Sequence, residues 1–215
     1  MRPTIGDDDV ARLFGSRSAP IEDLAEHAGA VAVACHAMAG RFHQGGKLVV
    51  FGTGAASTDA LHVAVEFVHP VIVGKRALPA ISLTADIATV TGLAAREGMG
   101  SIFAHQIHYL AGPADIALGI CADGNDDSVL RGLLAAHEMG MLTIGLVGGD
   151  GGAIGQNATG QNTIGQGAAV DHLLAARSAD PRIVKEVHVT MYHLLWELVH
   201  VFFEQPGVLD PEVVR

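Results

Sequence analysis

The chain has 215 residues, 49% of them hydrophobic, a mean hydropathy of +0.35 and a formal net charge of −10. That length and apolar share support one domain with a sizeable core, with or without a helical extension, and exclude a disordered chain. The 23 acidic against 13 basic residues argue against non-specific binding of nucleic acid or of an anionic membrane surface, yet leave room for a local pocket that takes a small polar ligand.

No apolar run approaches the roughly 18 to 20 residues that span a bilayer. The opening MRPTIGDDDV is acidic and has no apolar signal core. The expectation is a cytoplasmic protein without membrane or nucleic-acid partners. Cys35 and Cys121 sit at unrelated places, which fits two small core thiols without a disulfide. Twelve histidines are many for this length, so metal binding has to be weighed.

Residues 1–20 read as an N-terminal tail. From about Ile21 to Phe42 the chain is Ala-rich, with Leu24, His27, Ala28, Val31, Ala32, Cys35 and Met38 at helical spacing, which predicts one long amphipathic helix. Its apolar stripe packs either on a partner subunit or on the domain's own core. Lys47–Phe51 is a short apolar run entering a Gly52-Thr53-Gly54 turn, as a buried parallel strand does at its C-terminal end. A helix over about 57–68 follows. Strand 79–83 then runs into Thr84-Ala85-Asp86, and two short helices are expected over about 87–96 and 101–111. Strand 115–120 enters Cys121-Ala122-Asp123-Gly124-Asn125, followed by a helix over 127–139 and a strand over 141–147.

Residues 148–168 are rich in Gly, Gln and Asn and read as a long mobile loop. A short strand around 168–174 precedes a last helix that Asp180-Pro181 opens and that runs to about Phe203, proline suiting its first turn. Residues 206–215 read as a C-terminal tail. Alternating strands and helices imply an α/β fold, a parallel five-stranded sheet between two helical layers, built as one domain over 21–205 with the N-terminal helix as an extension.

In such a sheet ligands collect at the C-terminal strand ends. Three segments meet there: 52–59 with Thr53, Gly54 and Ser57; 84–86 with Asp86; and 121–126 with Cys121, Asp123, Gly124, Asn125 and Asp126. His62 and Glu66 are four apart on a predicted helix, so both leave one face. That spacing suits two ligands of one metal or a carboxylate orienting an imidazole, and it is also that of an ordinary surface pair. His188 and His193 are five apart and diverge round their helix, one of them toward the core or a subunit contact. Packing suffices for Trp196 and His200, and His69, His105, His108 and His137 read as solvent-facing.

The order of these segments carries a resemblance. FGTGAASTDALHVAVEF is similar to the FGNGGSAADAQHFAAEL stretch of phosphoheptose isomerases, members of the sugar isomerase (SIS) group. PAISLTADIATVTGLAAREGMGSIFAHQI resembles that family's second strand and its Thr-Thr-Asp turn. ADIALGICADGNDDSVLRGLLAAHEMGMLTIGLVGGDGG resembles the stretch around its Ser-Thr-Ser-Gly-Asn-Ser loop, and KEVHVTMYHLL its terminal Gln-Glu-x-His-x-x-x-x-His helix. The likeness spans roughly residues 20–205 and implies a three-layer, flavodoxin-like sandwich and a homodimer or homotetramer.

The resemblance also implies roles. Glu66 and His193 fall on the family's acid–base pair. Its zinc site of His, Glu, Gln and His falls on His62, Glu66, Lys185 and His193, and a protonated lysine is no ligand. The family grips phosphate mainly with serine hydroxyls. Here Ala56 replaces one serine, with Ser57 adjacent, and Thr53 replaces asparagine. Cys121, Ala122, Asp123 and Asp126 stand where Ser, Thr, Ser and Ser would, while Gly124 and Asn125 are retained. Two carboxylates beside a phosphate dianion repel it when poorly screened, so weak sugar-phosphate binding is expected at this loop, which suits a cation, an amine or a neutral polyol better. Three functions stay open on the sequence: a sugar or sugar-phosphate isomerase, a non-catalytic SIS interaction or sensing scaffold, and a metal-handling protein.

Overall fold

A computed structural model describes residues 6–158, 170–205 and 207–209. In chain order, helices α1 (Asp7–Glu26) and α2 (Ala28–His43) lead into strand β1 (Leu48–Gly52) and helix α3 (Ala55–Val68). Strand β2 (Ala80–Ser82) is followed by α4 (Ile87–Glu97), a 3-10 turn at Met99–Ser101 and α5 (Ile102–Leu110). Strand β3 (Ile116–Cys121), helix α6 (Asp127–Glu138), strand β4 (Leu142–Gly148), the short helix α7 (Gly152–Gln156), strand β5 (His172–Ala176) and helix α8 (Pro181–Glu204) complete the order.

The five strands form one parallel sheet in the order β2-β1-β3-β4-β5. Side chains alternate across a strand, and β1 shows the consequence. Leu48 and Val50 enter a core beneath α2, α3 and α8, together with Cys35, Met38, Phe67 and Met191. Val49 and Phe51 enter the opposite core with Phe103, Ile107 and Leu133. Every residue of β1, β3 and β4 is buried, as a strand covered on both faces must be, while the edge strands β2 and β5 are only partly buried. At the N-terminal end, the Asp115 carboxylate joins β1 to β3 by accepting from the Lys47 amide at 2.9 Å, the Lys47 ammonium at 2.5 Å and the Gly112 amide at 2.8 Å.

The expected fold class holds. Strand β5 lies a few residues later than its sequence pattern suggested. The helix expected over Ile21–Phe42 departs more. It is two helices that break at His27, whose φ of −99° and ψ of 17° leave the helical region. Residues 7–20, read as a tail, form most of α1. Asp7, Asp8 and Asp9 put negative charge in its first turn, where the helix dipole favours it. The apolar stripe of α2 (Val31, Cys35, Met38 and Phe42) lies in the chain's own core, which resolves the choice left open above. Within the expected loop 148–168, Gly148 closes β4 and residues 152–156 are helical; residues 159–168 lie outside the described residues. Among the described residues no helix is long and apolar enough to cross a membrane.

Candidate functional site

The strand order places the ligand crevice. From β1 the chain moves outward to β2, then crosses back to β3 on the other side of β1. The two connections leave β1 and β3 in opposite directions, and the gap above their C-terminal ends is where such sheets bind ligands. A hollow of about 330 Å³ lies there, lined by Thr53, Ala55, Ala56 and residues 120–123, 125 and 126. The floor is tight: a Cβ on Gly52 would lie 2.7 Å from the Ile120 carbonyl oxygen and 2.9 Å from Ala56 Cβ, so only glycine lets α3 begin this close to β3. A larger hollow of about 680 Å³, bordered by Asp23, His27, Asp150 and Arg177, lies beneath α1 and beside β5. It is away from the switch point and from the cluster described below, and it borders Ala158, where the described residues stop.

The carboxylates of the acidic loop are engaged by the chain itself. Asp126 is the N-cap of α6: its Oδ1 accepts from the Ser128 amide at 2.9 Å, the Val129 amide at 3.2 Å and the Ser128 hydroxyl at 2.5 Å, and its Oδ2 accepts from the Thr53 hydroxyl. Burial pushes this carboxyl up, but the bonds from Ser128 and Thr53 outweigh burial and hold it below the usual carboxylate range. The Asn125 amide, 3.0 Å from Asp123 Oδ1, holds the Asp123 carboxyl low. Burial raises the Cys121 thiol, whose Sγ lies 3.4 Å from Asp123 Oδ1, so it stays protonated. The first amides of α6, which could greet a bound anion, are already taken by a carboxylate of the chain itself.

Further along α3 is the second half of the site. His62 is seven positions beyond Ala55, roughly 10 Å along the helix. The four-residue spacing of His62 and Glu66 brings His62 Nε2 to 3.3 Å from Glu66 Oε1. From α8, His193 joins them, its ring centroid 5.3 Å from that of His62. One ligand atom from each of His62, Glu66 and His193 lies within 4.8 Å of the others. Two imidazoles and a carboxylate at that separation are a donor set that fits zinc with one position left open.

Lys185 stands apart from this set. Its Nζ lies 2.7 Å from Asp59 Oδ1 and 3.1 Å from both the Ala55 carbonyl and the Thr58 hydroxyl, so all three ammonium hydrogens are placed. Asp59 is buried, and Lys185 is its ion-pair partner. His188 is also buried, with Nε2 3.0 Å from the Val147 carbonyl oxygen; burial lowers its basicity, and it faces the core while His193 faces out. Asp86 caps α4 by accepting from the Ala88 and Thr89 amides, and Ser57 turns its hydroxyl back to the Gly54 carbonyl. Of the histidines read as solvent-facing, His105 pairs with Glu97 at 2.9 Å.

Two participants escaped the sequence reading. Asp59, the partner of Lys185, is one turn before His62 on α3, but nothing in the sequence links positions 59 and 185. Tyr192, buried beside His193, puts its phenol oxygen 2.8 Å from His62 Nδ1. Its only sequence signal is adjacency to His193.

The profile of the SIS domain family matches residues 16–148. A phosphoheptose isomerase of Solidesulfovibrio magneticus is 35% identical over 187 residues, 86% of this chain and 85% of that protein. One of Geobacter sulfurreducens is 35% identical over 193 residues, 90% of this chain and 96% of its own length. Among solved structures, a phosphoheptose isomerase from Francisella tularensis superposes with a TM-score of 0.81 at 30% identity, covering 92% of this chain and all of that one.

The capping geometry sets a pH dependence. Because the folded Asp126 is more acidic than an unfolded aspartate, its contribution is present above the unfolded value of roughly 3.9 and is lost as pH falls through the lower folded value. Asp126→Ala should cost roughly 1–2 kcal/mol at pH 7, and its gap from wild type should shrink below about pH 4. Urea unfolding at a series of pH values measures both; a gap that is constant down to pH 2 would contradict the assignment.

Proposed function

The chain belongs to the SIS domain family, and on that premise we propose that it is an aldose–ketose isomerase of a sugar or sugar phosphate. The observation that carries the reading is the meeting of Glu66 and His193, from two distant helices, beside His62. Glu66 takes the proton from the carbon next to the substrate carbonyl. The released electron pair forms the carbon–carbon double bond of an enediol as the carbonyl oxygen gains a proton. His193 then delivers a proton to the former carbonyl carbon while the neighbouring hydroxyl loses its own, so the carbonyl has moved one carbon and the composition is unchanged. His62, Glu66 and His193 would hold a zinc ion, which supplies positive charge to polarise the substrate oxygens. Lys185, engaged by Asp59, is not counted as a ligand. The intact acid–base pair and the phosphoheptose isomerase relatives favour catalysis over the non-catalytic scaffold.

The far end of the substrate would lie over the 121–126 loop. Asp123 and Asp126 make that end negative, and no lysine or arginine lines the hollow among the described residues. The proposed enzyme therefore holds a phosphate weakly and accepts a neutral polyol end. A homo-oligomer and a cytoplasmic location belong to the same reading. The exposed Leu61, Val65 and Val68 of α3 suit a subunit contact, and a monomer by light scattering would count against it.

Turnover assays decide the main claim. Zinc-supplemented wild type should interconvert a ketose and an aldose, and Glu66→Gln or His193→Ala should lower kcat by about 10²- to 10⁴-fold. Wild-type rates no higher than those of the variants on every heptose and heptose phosphate tried would end the isomerase reading. Asp123→Ser/Asp126→Ser should lower KM for a sugar phosphate by roughly tenfold or more, the effect of removing about 1.4 kcal/mol of repulsion, with little change for the unphosphorylated sugar. An equal change for both would sink the charge argument.

A further inference from the structure

Tyr192 is one of the largest fully buried side chains of the protein, 1% exposed, and its packing duty among Met38, Val63 and Leu195 could be met by a phenylalanine. What a phenylalanine could not supply is the hydroxyl. A buried phenol oxygen needs a partner, because leaving it unpaired forfeits its bonds to water. Here that partner is His62 Nδ1 at 2.8 Å, with the two rings edge to face at 75°. Consecutive residues on a helix point about 100° apart, so α8 presents His193 outward to the cluster and Tyr192 inward, behind His62. The imidazole is thus gripped from the core side through one nitrogen, while its other nitrogen, Nε2, lies 3.3 Å from Glu66 Oε1.

We propose that Tyr192 is a positioning residue for the metal cluster, its hydroxyl holding the His62 ring by Nδ1 so that Nε2 is the nitrogen offered beside Glu66 and His193. The inference rests on reading that cluster as a metal centre. A neutral imidazole carries one N–H. To ligate through Nε2, His62 must carry its proton on Nδ1, and the phenol oxygen accepts it. Without metal, the phenol can rotate its hydrogen toward Nδ1 while Nε2–H points to Glu66. A hydroxyl serves both arrangements because it donates and accepts; a carbonyl could serve only the first. The two buried histidines of α8 are engaged elsewhere: His188 Nε2 lies 3.0 Å from the Val147 carbonyl oxygen, and the His200 ring nitrogens lie 2.8 and 2.9 Å from the Trp196 and Arg76 carbonyl oxygens. An outer partner of this kind fixes both tautomer and ring orientation, and its loss typically lowers metal affinity by about 10- to 100-fold.

The test is zinc affinity, measured by competition with a chromophoric chelator on wild type and Tyr192→Phe. The expected result is a dissociation constant roughly 10- to 100-fold higher in the variant, with the melting temperature of the metal-free protein little changed. Nitrogen-15 spectra of wild type labelled in histidine provide a second measurement that does not depend on the variant folding: in the zinc-loaded protein the His62 proton should sit on Nδ1. Equal zinc affinity in the two proteins, a His62 proton on Nε2 in the loaded state, or a wild type that binds no zinc would each overturn the proposal. Turnover stays a separate readout. Tyr192-dependent zinc binding in an inactive wild type supports this role and ends the isomerase reading, whereas Tyr192-independent binding in an active enzyme does the reverse.

Discussion

The reversal of strand order between β1 and β3 is the constraint from which the site follows. Both strands are buried on both faces, so the chain cannot turn within the sheet. It must leave at the carboxyl ends and run back as helices on opposite layers. That parting opens the crevice between Thr53 and Asp126 and sets the starting points of α3 and α6. Gly52, with no room for a Cβ, lets α3 start directly against β3. Once α3 starts there, its helical repeat puts His62 and Glu66 on the face that meets α8, and α8 is held against the sheet by Val187, Met191 and Leu195. Glu66 and His193 are thus positioned by core packing on helices and do not depend on a loop.

Much of this architecture is written locally in the chain. β1, β3 and β4 are short apolar runs that end in glycine turns, and α8 announces itself by Asp180 and Pro181 at its first turn. These signals depend only on near neighbours. The break at His27 was not legible because the residues on both sides favour helix and no glycine or proline marks position 27. The helical turn at 152–156 was hidden by its own composition: Gly-rich segments signal a loop, while Gly124 O accepting from the Ile154 amide and Asn125 Oδ1 accepting from the Ala153 amide are contacts between segments.

The site divides in the same way. The spacing of His62 and Glu66 is a local property and was readable; the arrival of His193 beside them is a tertiary fact, anticipated by resemblance alone. Lys185 illustrates the difference. In sequence it stands where a neutral ligand would be expected, and only the fold shows why a lysine is tolerated there, since buried Asp59 takes its charge. The acidic loop carries the same lesson. Asp126 is not a loose charge in a pocket but the cap of α6, and in capping it occupies the amides that an anionic ligand would use. The first turn of α6 is thus capped by a carboxylate of the chain itself.

Proton exchange at carbon tests the isomerase claim most directly, because it detects the enediol step even when net conversion is small. Zinc-loaded wild type would be incubated in heavy water with sedoheptulose and with sedoheptulose phosphate, and proton spectra followed for loss of signal at the carbon next to the carbonyl. Glu66 acting as the base predicts exchange at that carbon by wild type, and its near-complete loss in Glu66→Gln. Absence of exchange on both sugars, or exchange that persists undiminished in the Glu66 variant, would contradict it.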